Sequence, residues 1–467
     1  MKLMGGRMKS GIIENLARIV GKRGVLNTPE DLAVYSYDGT FAESVPGAIV
    51  LPETTEQTSE VVKLAAAFRV PLVARGMGSG LAAGSVPSKD DSLVVCFTRM
   101  NRILEIDTVN TTARVQPGVI TAVLQTEVEK QGLFYPPDPS SIRHSTVGGN
   151  IACNAGGPRC LKYGVTGNYI LGLTVVLADG RILNTGGKPI KDVTGYNLTS
   201  LFASSEGTLG LITEALLRLV ARPQCVRTAL AEFDSLSDAS RTVNAILSAG
   251  VVPATLELVD QTAIICIEEA MHLGLATDVE AVLIIETDGS DESTVLREIE
   301  AVERICRDSG ARTVNVAKTE DERDELWRAR RSVGSSLARK APNKLGEDIT
   351  VPRSAIPEVV ERLRAISARH GLPIAIFGHA GDGNLHPNIL FDKRKPEEWA
   401  KVNRMMGEVF EASLSVGGTL SGEHGVGMLK RPYFEKAIGP VSADVQRSIK
   451  NALDPLNILN PGKMFED

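Results

Sequence analysis

Two short glycine-rich stretches near the C-terminus concentrate side chains that bind metals and transfer protons. The first, Gly-His-Ala-Gly-Asp-Gly-Asn-Leu-His, contains His379 and His386, and the second, Ser-Gly-Glu-His-Gly-Val-Gly, contains Glu423 and His424. Two imidazoles and one carboxylate form a ligand set suited to zinc, iron(II) or manganese. His424 is left unassigned beside the carboxylate, where it could serve as a base. The pattern therefore indicates metal-assisted chemistry.

A structural role is the alternative for each of these histidines, because an isolated buried histidine is more often a hydrogen-bonded core residue than a ligand. Glycines lie next to His379 and close to His386, which indicates tight backbone that aims side chains into a cavity. A second charged cluster in equally glycine-rich sequence favours a functional site over the structural role.

The composition excludes several classes of protein. At 467 residues the chain is long enough for two domains and a further segment. Its 51 basic and 57 acidic residues include no Lys/Arg-rich run, so nucleic acid is not expected as a partner. No apolar stretch approaches the roughly 20 residues that cross a bilayer. We expect a cytoplasmic protein that associates with membranes only through a partner.

The six cysteines are scattered and form no Cys-x-x-Cys pair. In a chain of this size they are expected to be reduced thiols. The same spacing excludes an ordinary iron–sulfur cluster within this chain.

The N-terminal segment from Met1 to Gly21 has apolar residues at helical spacing, including Ile12, Leu16 and Val20. Glu14 and Arg18 interrupt the apolar run, so the segment predicts an amphipathic surface helix and not a signal peptide.

Short β-rich runs alternate with helical ones from Ala48 to about Val220. Strands are predicted over 48–52 and 71–75, with a helix between them that Thr54 and Gln57 open as a capping box. Its Val61, Leu64, Ala65 and Phe68 are predicted to share one face.

Strands recur with little helix between them over 103–119, 171–183 and 209–219, which predicts a second, more antiparallel sheet. After Val220 the strand-like runs are separated by amphipathic helices, an α+β arrangement.

A glycine-rich loop, Arg75–Leu81, follows the second of these strands. It is not a Rossmann fingerprint, because the spacing is G-x-G-x-G and Leu81 stands where the third glycine belongs. Consecutive glycines can still turn several backbone N–H groups toward one anion, and a diphosphate is the expected guest. A plain glycine-rich turn is the alternative.

Further segments extend this signal. Pro136–Ser141 leads into Thr146–Gly157, which contains Gly-Gly-Asn, and Ser205–Gly210 begins with Ser-Glu-Gly. Together with the first loop they resemble the FAD-binding domain of the vanillyl-alcohol-oxidase flavoproteins, also called the p-cresol methylhydroxylase type. In that family the first loop holds the pyrophosphate, Gly-Gly-Asn runs along the flavin and Ser-Glu-Gly lies near the adenine side. The match spans about Pro46 to Val220, in order.

The resemblance implies an α+β fold, with an FAD-binding domain of two subdomains and an α+β substrate (cap) domain. We expect the FAD-binding domain over 1–220, the cap over 221–412 and a C-terminal segment completing the active site over 413–467. The residues that this resemblance assigns to FAD are Arg75, Gly76, Met77, Gly78, Ser79, Gly80, Leu81, Pro137, Asp138, Thr146, Gly149, Asn150, Cys153, Asn154, Gly156, Glu206, Gly207 and Ile212.

The C-terminal motifs resemble one branch of that family, the FAD-linked 2-hydroxy-acid dehydrogenases. The branch includes the glycolate oxidase flavin subunit, D-lactate dehydrogenase and D-2-hydroxyglutarate dehydrogenase. Both histidine-containing motifs are its signatures, and the ending Asn-Pro-Gly-Lys, here from Asn460, is usual in it. The segments Leu326–Arg331 and Asp348–Pro352 look most similar to the glycolate oxidase flavin subunit.

By this resemblance His379, His386 and Glu423 would hold a divalent metal, with zinc, iron and manganese all open. His424 would take the hydroxyl proton while hydride leaves the α-carbon for the flavin; its alternative is a hydrogen-bonding role behind the ligands. Arg330 would bind the substrate carboxylate.

Residues near the predicted ligands and Arg330 also indicate which substrate to expect. Asn388 is expected to touch it, whereas Arg328 and Arg331 could be surface charges. The 2-hydroxyglutarate branch adds a threonine and a lysine for its second carboxylate, and this chain has Gly334 and Gly346 at the aligned positions. Glycolate or D-lactate is therefore expected before a dicarboxylic acid.

The chain has no cluster or haem motif of its own, so its electrons require a partner protein. By resemblance this is an iron–sulfur subunit or an electron-transferring flavoprotein. The loop around Gly84 has no histidine that would argue for covalent flavin attachment.

Three other functions compete. A non-redox flavoenzyme like alkyl-dihydroxyacetone-phosphate synthase shares the fold and would act without an electron acceptor. A flavin subunit that only relays electrons would need no metal ligands, and an iron oxygenase with two histidines and one carboxylate would leave the FAD motifs unused.

Overall fold

The computed structural model describes residues 8–466 and combines helices with three larger sheets and a two-stranded one. Within that range the strands are β1 (Val25–Leu26), β2 (Ala48–Val50), β3 (Leu72–Arg75), β4 (Leu93–Cys96), β5 (Ile103–Asp107), β6 (Thr112–Val115), β7 (Leu133–Phe134), β8 (Ile170–Val176), β9 (Ile182–Gly186), β10 (Leu211–Arg218), β11 (Val220–Ala221), β12 (Cys225–Phe233), β13 (Thr255–Asp260), β14 (Ala281–Gly289), β15 (Ala311–Val316), β16 (Asn343–Gly346), β17 (Ile349–Thr350), β18 (Ile374–His379) and β19 (Asn384–Phe391).

The α-helices in the same range are α1 (Ser10–Val20), α2 (Pro29–Val34), α3 (Thr55–Phe68), α4 (Thr121–Glu129), α5 (Val147–Cys153), α6 (Cys160–Tyr163), α7 (Leu198–Phe202), α8 (Leu236–Ser248), α9 (Gln261–Met271), α10 (Glu292–Asp308), α11 (Glu320–Lys340), α12 (Ile356–His370), α13 (Pro396–Leu414), α14 (Arg431–Ile438) and α15 (Pro440–Leu453).

The chain forms two compact units. The first runs to Gly156 and adds Val165–Arg222 and the segment from Glu423 onward, and the second comprises Gly157–Gly164 and Pro223–Gly422. Lys162 and Tyr163 hold the short inserted segment within the second unit, since both donate to the Asp288 carboxylate, at 2.5 and 2.6 Å.

The first sheet of the first unit is four-stranded, in the order β1-β2-β4-β3, with β2 and β3 both parallel to β4. As predicted, α3 connects β2 to β3 and begins at Thr54, whose side chain accepts the Gln57 N–H. Gln57 Oε1 accepts from Glu53 N and not from Thr54 N. Phe68, on the same predicted face, is the last residue of α3 and is 54% exposed, whereas Val61 and Ala65 are buried.

A five-stranded sheet, in the order β5-β6-β10-β8-β9, is the second sheet of this unit and is antiparallel throughout, as predicted. The predicted N-terminal helix is α1, which buries Ile12, Leu16 and Val20 in the core beside the first sheet. The part of that prediction on residues 1–7 lies outside the described residues.

The C-terminal segment closes the first unit. Leu459 forms a parallel bridge with Leu72 of β3. The buried Lys450 ammonium pairs with Asp454 and donates to the Thr208 and Leu459 carbonyls, at 2.9 and 2.8 Å. Buried charges are tolerated only when they are paired and hydrogen-bonded, as here.

The second unit is built on one eight-stranded sheet. Its order is β15-β12-β14-β13-β18-β19-β16, with β17 also paired to β19, and the described pairs are antiparallel. Apolar faces of α9 and α11 pack on it, through residues such as Ile264, Ala329 and Val333. The predicted α+β fold class is confirmed.

None of the six cysteines forms a disulfide, as predicted. Among residues 8–466, every helix is too short or too polar to cross a bilayer.

Candidate active site

The hairpin of β18 and β19 places two histidines on one face of the large sheet. Phe377 lies opposite His386 and His379 lies opposite Asn384, so His379 is two positions along from the residue that faces His386. Such diagonal neighbours share a face and remain within reach of ring side chains. The His379 and His386 Nε2 atoms are 3.4 Å apart, and both side chains are buried.

This separation fits a shared divalent ion. Nitrogen ligands bind zinc at about 2.0–2.1 Å, so two of them at a tetrahedral angle lie about 3.4 Å apart. The rings meet edge to face, with an interplanar angle of 85°. His379 and His386 therefore suit two positions of one metal.

A carboxylate that sequence analysis missed lies behind His379. Glu257 is opposite His379 in the pairing of β13 with β18, and its Oε1 is 2.6 Å from His379 Nδ1. Its Oε2 accepts from Arg330 Nε at 2.6 Å. Burial raises the pKa of Glu257, but the electrostatic contributions of His379 and Arg330 and their hydrogen bonds outweigh burial, and the net direction is down.

Arg330, the predicted substrate arginine, is 7% exposed. Its guanidinium lies over the Phe377 ring, 5.0 Å from the centroid, and among the described residues its Nη2 has no hydrogen-bond partner. By contrast Arg328 and Arg331 are exposed, and Arg328 pairs with Glu325 at 3.1 Å. Arg330 is thus the buried member of this basic run, and its Nη2 can still bind an anion.

Asn388 lies on the same face as His386, two positions further along β19, and is buried. Its Nδ2 donates to the His386 carbonyl at 2.8 Å. Opposite it is Gly346, where an added Cβ would lie 2.7 Å from Asn388 Oδ1. The missing side chain at position 346 therefore gives Asn388 its room.

Sequence analysis did not single out a second carboxylate, Asp348, which holds Ser421 and Gly422 of the Ser-Gly-Glu-His motif by hydrogen bonds. It is fully buried and accepts from Asn384 Nδ2 at 2.6 Å, from Ser421 Oγ at 2.7 Å and from Gly422 N at 3.0 Å. Its Oδ1 is 3.8 Å from His386 Nδ1. Asp348 thereby joins the start of β19 to the two residues that precede Glu423.

Glu423 and His424 begin the last segment of the first unit, and their carboxylate Oε1 and imidazole Nε2 are 3.8 Å apart. Glu206 holds the glycine-rich backbone just after them, since it accepts from Val426 N at 2.6 Å and Gly427 N at 2.8 Å. The predicted FAD residue Glu206 therefore also fixes the loop that carries His424.

The first unit brings the predicted FAD loops together. An added Cβ at Gly76 would lie 2.3 Å from the hydroxyl of Thr146, which caps α5 by accepting from Gly149 N. Arg75 is 7% exposed, and its Nη1 has no partner among the described residues. Gly78 has φ +70° and lies against this guanidinium. A buried, incompletely paired cation beside glycines fits an anionic diphosphate.

The other predicted FAD residues also belong to the first unit. Asn150 on α5 donates to Thr121 Oγ1 at 2.8 Å, and Asn154 ends that helix and accepts from Gly167 N at 2.7 Å. Gly207 approaches Ala74 at the end of β3, since its added Cβ would be 3.2 Å away. The remaining positions are the exposed or half-buried Met77, Ser79, Gly80, Leu81, Asp138, Gly149 and Cys153, and the buried Pro137, Gly156 and Ile212.

Two protein-family models match most of the chain. Residues 222–464 match the model for the C-terminal domain of FAD linked oxidases, and residues 46–186 match that for an FAD binding domain. This chain belongs to the FAD-linked oxidases. The family predicted from the motifs is confirmed, and so is FAD as the cofactor of its first domain.

Relatives of this FAD-linked oxidase match it along nearly its whole length. Glycolate oxidase subunit GlcD of Bacillus subtilis is 48% identical over 97% of this chain and 96% of its own. D-lactate dehydrogenase of Anaerostipes hadrus is 32% identical over 97% of both. D-2-hydroxyglutarate dehydrogenase of Stutzerimonas stutzeri is 34% identical over 97% of this chain and 98% of its own.

Among solved structures, p-cresol methylhydroxylase with substrate bound resembles the FAD-linked oxidase with a TM-score of 0.83 at 17% identity. The match covers 98% of each chain. It confirms the predicted vanillyl-alcohol-oxidase type of fold.

We predict that Gly76→Ala will lower the affinity for FAD, because the new methyl group would collide with the Thr146 hydroxyl and displace the cap of α5. Bound flavin after purification and titration of the apoprotein with FAD measure the effect. Gly11→Ala is the matched control, since nothing lies within 4 Å of its added Cβ. Equal FAD affinity in the two variants would contradict the assignment of this loop to FAD.

Proposed function

We propose that this FAD-linked oxidase oxidises a short 2-hydroxy acid, glycolate or D-lactate, to the 2-oxo acid by transferring hydride to FAD. The observation that carries the proposal is that buried Arg330 lies beside the paired imidazoles of His379 and His386 on one sheet face, with an Nη2 that has no hydrogen-bond partner in the part of the chain that the structure describes. The names of the relatives, glycolate oxidase subunit and D-lactate dehydrogenase, support the same substrate class.

Arg330 is proposed to bind the substrate carboxylate. Glu257 occupies its Nε, so the outer nitrogens of the guanidinium remain for a second carboxylate. An arginine fork binds a carboxylate with directional hydrogen bonds. Burial strengthens this contact, because water competes less for the charges.

His379, His386 and Glu423 are proposed to hold a divalent metal. When bound, such an ion polarises the substrate hydroxyl and lowers its pKa. His424, next to Glu423 in the chain, is proposed to accept the hydroxyl proton, and Asn388 to contact the substrate beside His386. Loss of that proton raises electron density on the substrate, which assists departure of hydride from the α-carbon.

The remaining site residues are proposed to bind FAD, and the glycine-rich loop that begins at Arg75 is proposed to bind its diphosphate. The domains are proposed to run over 1–220 for FAD, 221–412 for the substrate cap and 413–467 for the segment that completes the site. An electron-accepting protein, either an iron–sulfur subunit or an electron-transferring flavoprotein, is proposed to reoxidise the flavin.

D-2-hydroxyglutarate is a second candidate substrate, and one observation favours it. The Lys344 ammonium lies 3.3 Å from where a Cβ on Gly334 would be, one helical turn beyond Arg330 on α11. Burial lowers the pKa of Lys344, and a second carboxylate would stabilise its charge. Gly334 and Gly346 lack the side chains expected for a dicarboxylic acid, so glycolate and D-lactate remain preferred.

The proposal is tested by anaerobic addition of glycolate, D-lactate, L-lactate and D-2-hydroxyglutarate to the purified protein. We expect glycolate or D-lactate to bleach the flavin absorbance, and chelation to abolish bleaching until one divalent ion is restored. Bleaching by D-2-hydroxyglutarate alone would identify that acid as the substrate, with its second carboxylate at Lys344. A flavin that none of the four acids reduces would favour the non-redox or relay function.

Arg330→Lys is predicted to raise the substrate concentration for half-maximal flavin reduction by roughly 10-fold or more, because a compact ammonium replaces a directional fork. Arg328→Lys, two residues away on the exposed surface, is the matched control and should leave it unchanged. Stopped-flow reduction measures both. An unchanged value in Arg330→Lys would remove Arg330 as the carboxylate anchor.

His424→Ala is predicted to keep bound FAD and metal but to slow flavin reduction at saturating substrate by about 100-fold or more, the usual contribution of a positioned base. His144→Ala is the control, because His144 is exposed. Unimpaired reduction in His424→Ala would show that another group accepts the proton.

A further inference from the structure

We infer that Glu257 is a positioning residue that prepares two parts of the active site at once: it sets the tautomer of His379 for the metal and aims Arg330 at the substrate carboxylate. The inference rests on the proposed function and extends it to a residue outside both histidine-containing motifs. It depends only on contacts within the second unit.

The location of Glu257 is unusual for a charged residue. It lies in the middle of β13, where all six residues are buried, and its own exposure is 0%. A carboxylate in such a place is costly unless each oxygen is matched by a donor. Here each oxygen has its own donor at 2.6 Å, His379 Nδ1 for one and Arg330 Nε for the other.

The contact with His379 determines which ring nitrogen carries the proton. An ionised carboxylate only accepts hydrogen bonds, so His379 Nδ1 must donate. In a neutral ring this leaves the Nε2 lone pair unprotonated, and Nε2 is the atom that faces His386 at 3.4 Å. A carboxylate behind a ligating histidine fixes the tautomer, orients the ring and raises its basicity toward the metal.

The contact with Arg330 fixes the plane of the guanidinium. The carboxylate holds Nε, and the Phe377 ring lies against the guanidinium face, 5.0 Å away from centroid to Cζ. Nη2 is then left without a partner among the described residues. Because one carboxylate holds both groups, the metal ligand and the substrate anchor keep a fixed relative position.

The test is Glu257→Gln, which preserves the shape of the side chain. Its single oxygen can accept from Arg330 or from His379, and its amide N–H meets the other group. If the oxygen stays with Arg330, the amide N–H forces His379 into the tautomer that is protonated at Nε2. We therefore expect the affinity for zinc, measured by competition with a chromophoric chelator, to fall about 10–100-fold.

Substrate binding gives a second readout. In zinc-saturated Glu257→Gln we expect the half-saturating concentration for flavin reduction to rise about 10-fold as Arg330 loses its support, with bound FAD unchanged. Glu257→Asp keeps the charge but is one methylene shorter. It should recover part of the zinc affinity, because a carboxylate has no N–H that would force protonation of His379 at Nε2.

Glu286→Gln is the matched control. Glu286 is also buried, on the neighbouring strand β14, and its Oε2 accepts from Thr228 at 2.9 Å and from Trp327 at 2.8 Å. An amide oxygen can accept both bonds, so zinc affinity should remain that of the unmodified protein. Equal zinc affinity in Glu257→Gln and Glu286→Gln would overturn the inference.

Nitrogen-15 NMR of histidine-labelled, metal-free protein tests the tautomer without any substitution. We expect one buried histidine, assigned to His379 by its absence in His379→Gln, to carry its proton on Nδ1. Protonation of that ring at Nε2 alone would overturn the inference even if Glu257→Gln failed to fold.

The outcomes separate this inference from the proposed function. Weaker zinc binding in Glu257→Gln together with a flavin that no 2-hydroxy acid reduces would retain the positioning role and reject the reaction. Normal zinc binding in that variant together with bleaching by glycolate or D-lactate would retain the reaction and reject the positioning role.

Discussion

The strand pairing around β18 determines most of the chemistry available in the second unit. With β19 on one side it places the His379 and His386 rings on one face, and with β13 on the other it places Glu257 directly opposite His379. A slip of one residue in either pairing would turn one set of side chains to the other face. The backbone hydrogen bonds of this sheet thus fix the separation of the imidazoles, and α11 then supplies Arg330 above the same face.

Glycines permit the close approaches on which this register depends. At Gly383, in the turn after His379, φ is +87° and an added Cβ would lie 2.1 Å from the Val351 carbonyl oxygen. The turn therefore requires glycine both for its backbone angle and for its contact with a neighbouring segment. In the first unit Gly76 is constrained by contact alone, since an added Cβ would collide with the Thr146 hydroxyl. The glycine-rich motifs are informative in the sequence because each marks a place where backbone and functional side chains meet.

Much of this could be predicted from sequence because the signals were local. The cap at Thr54, the strand that ends at Arg75 and the strand within 209–219 each follow from spacing within a few residues. Periodicity placed Phe68 on the face of Val61 and Ala65, but it does not say that the helix ends at Phe68, whose side chain is 54% exposed. Glu257 was missed for another reason: alternation along β13 says nothing about which strand lies beside it, and its partner His379 is 122 residues away in the chain. The sequence of one strand does not show which distant strand pairs with it.

The Glu257 network is better explained by function than by stability. Replacing a buried ion pair with well-packed apolar residues is often neutral or stabilising, since desolvation costs about as much as the charges gain by attraction. Breaking such a pair by removing one partner is costly, so its members must be retained or lost together. A carboxylate shared by an arginine and a histidine adds constraints that a hydrophobic core would not need. In return it holds a cation whose Nη2 has no hydrogen-bond partner among the described residues and an imidazole whose Nε2 faces His386, at the cost of desolvating all three groups. Such an arrangement is useful where an anion and a metal must bind side by side.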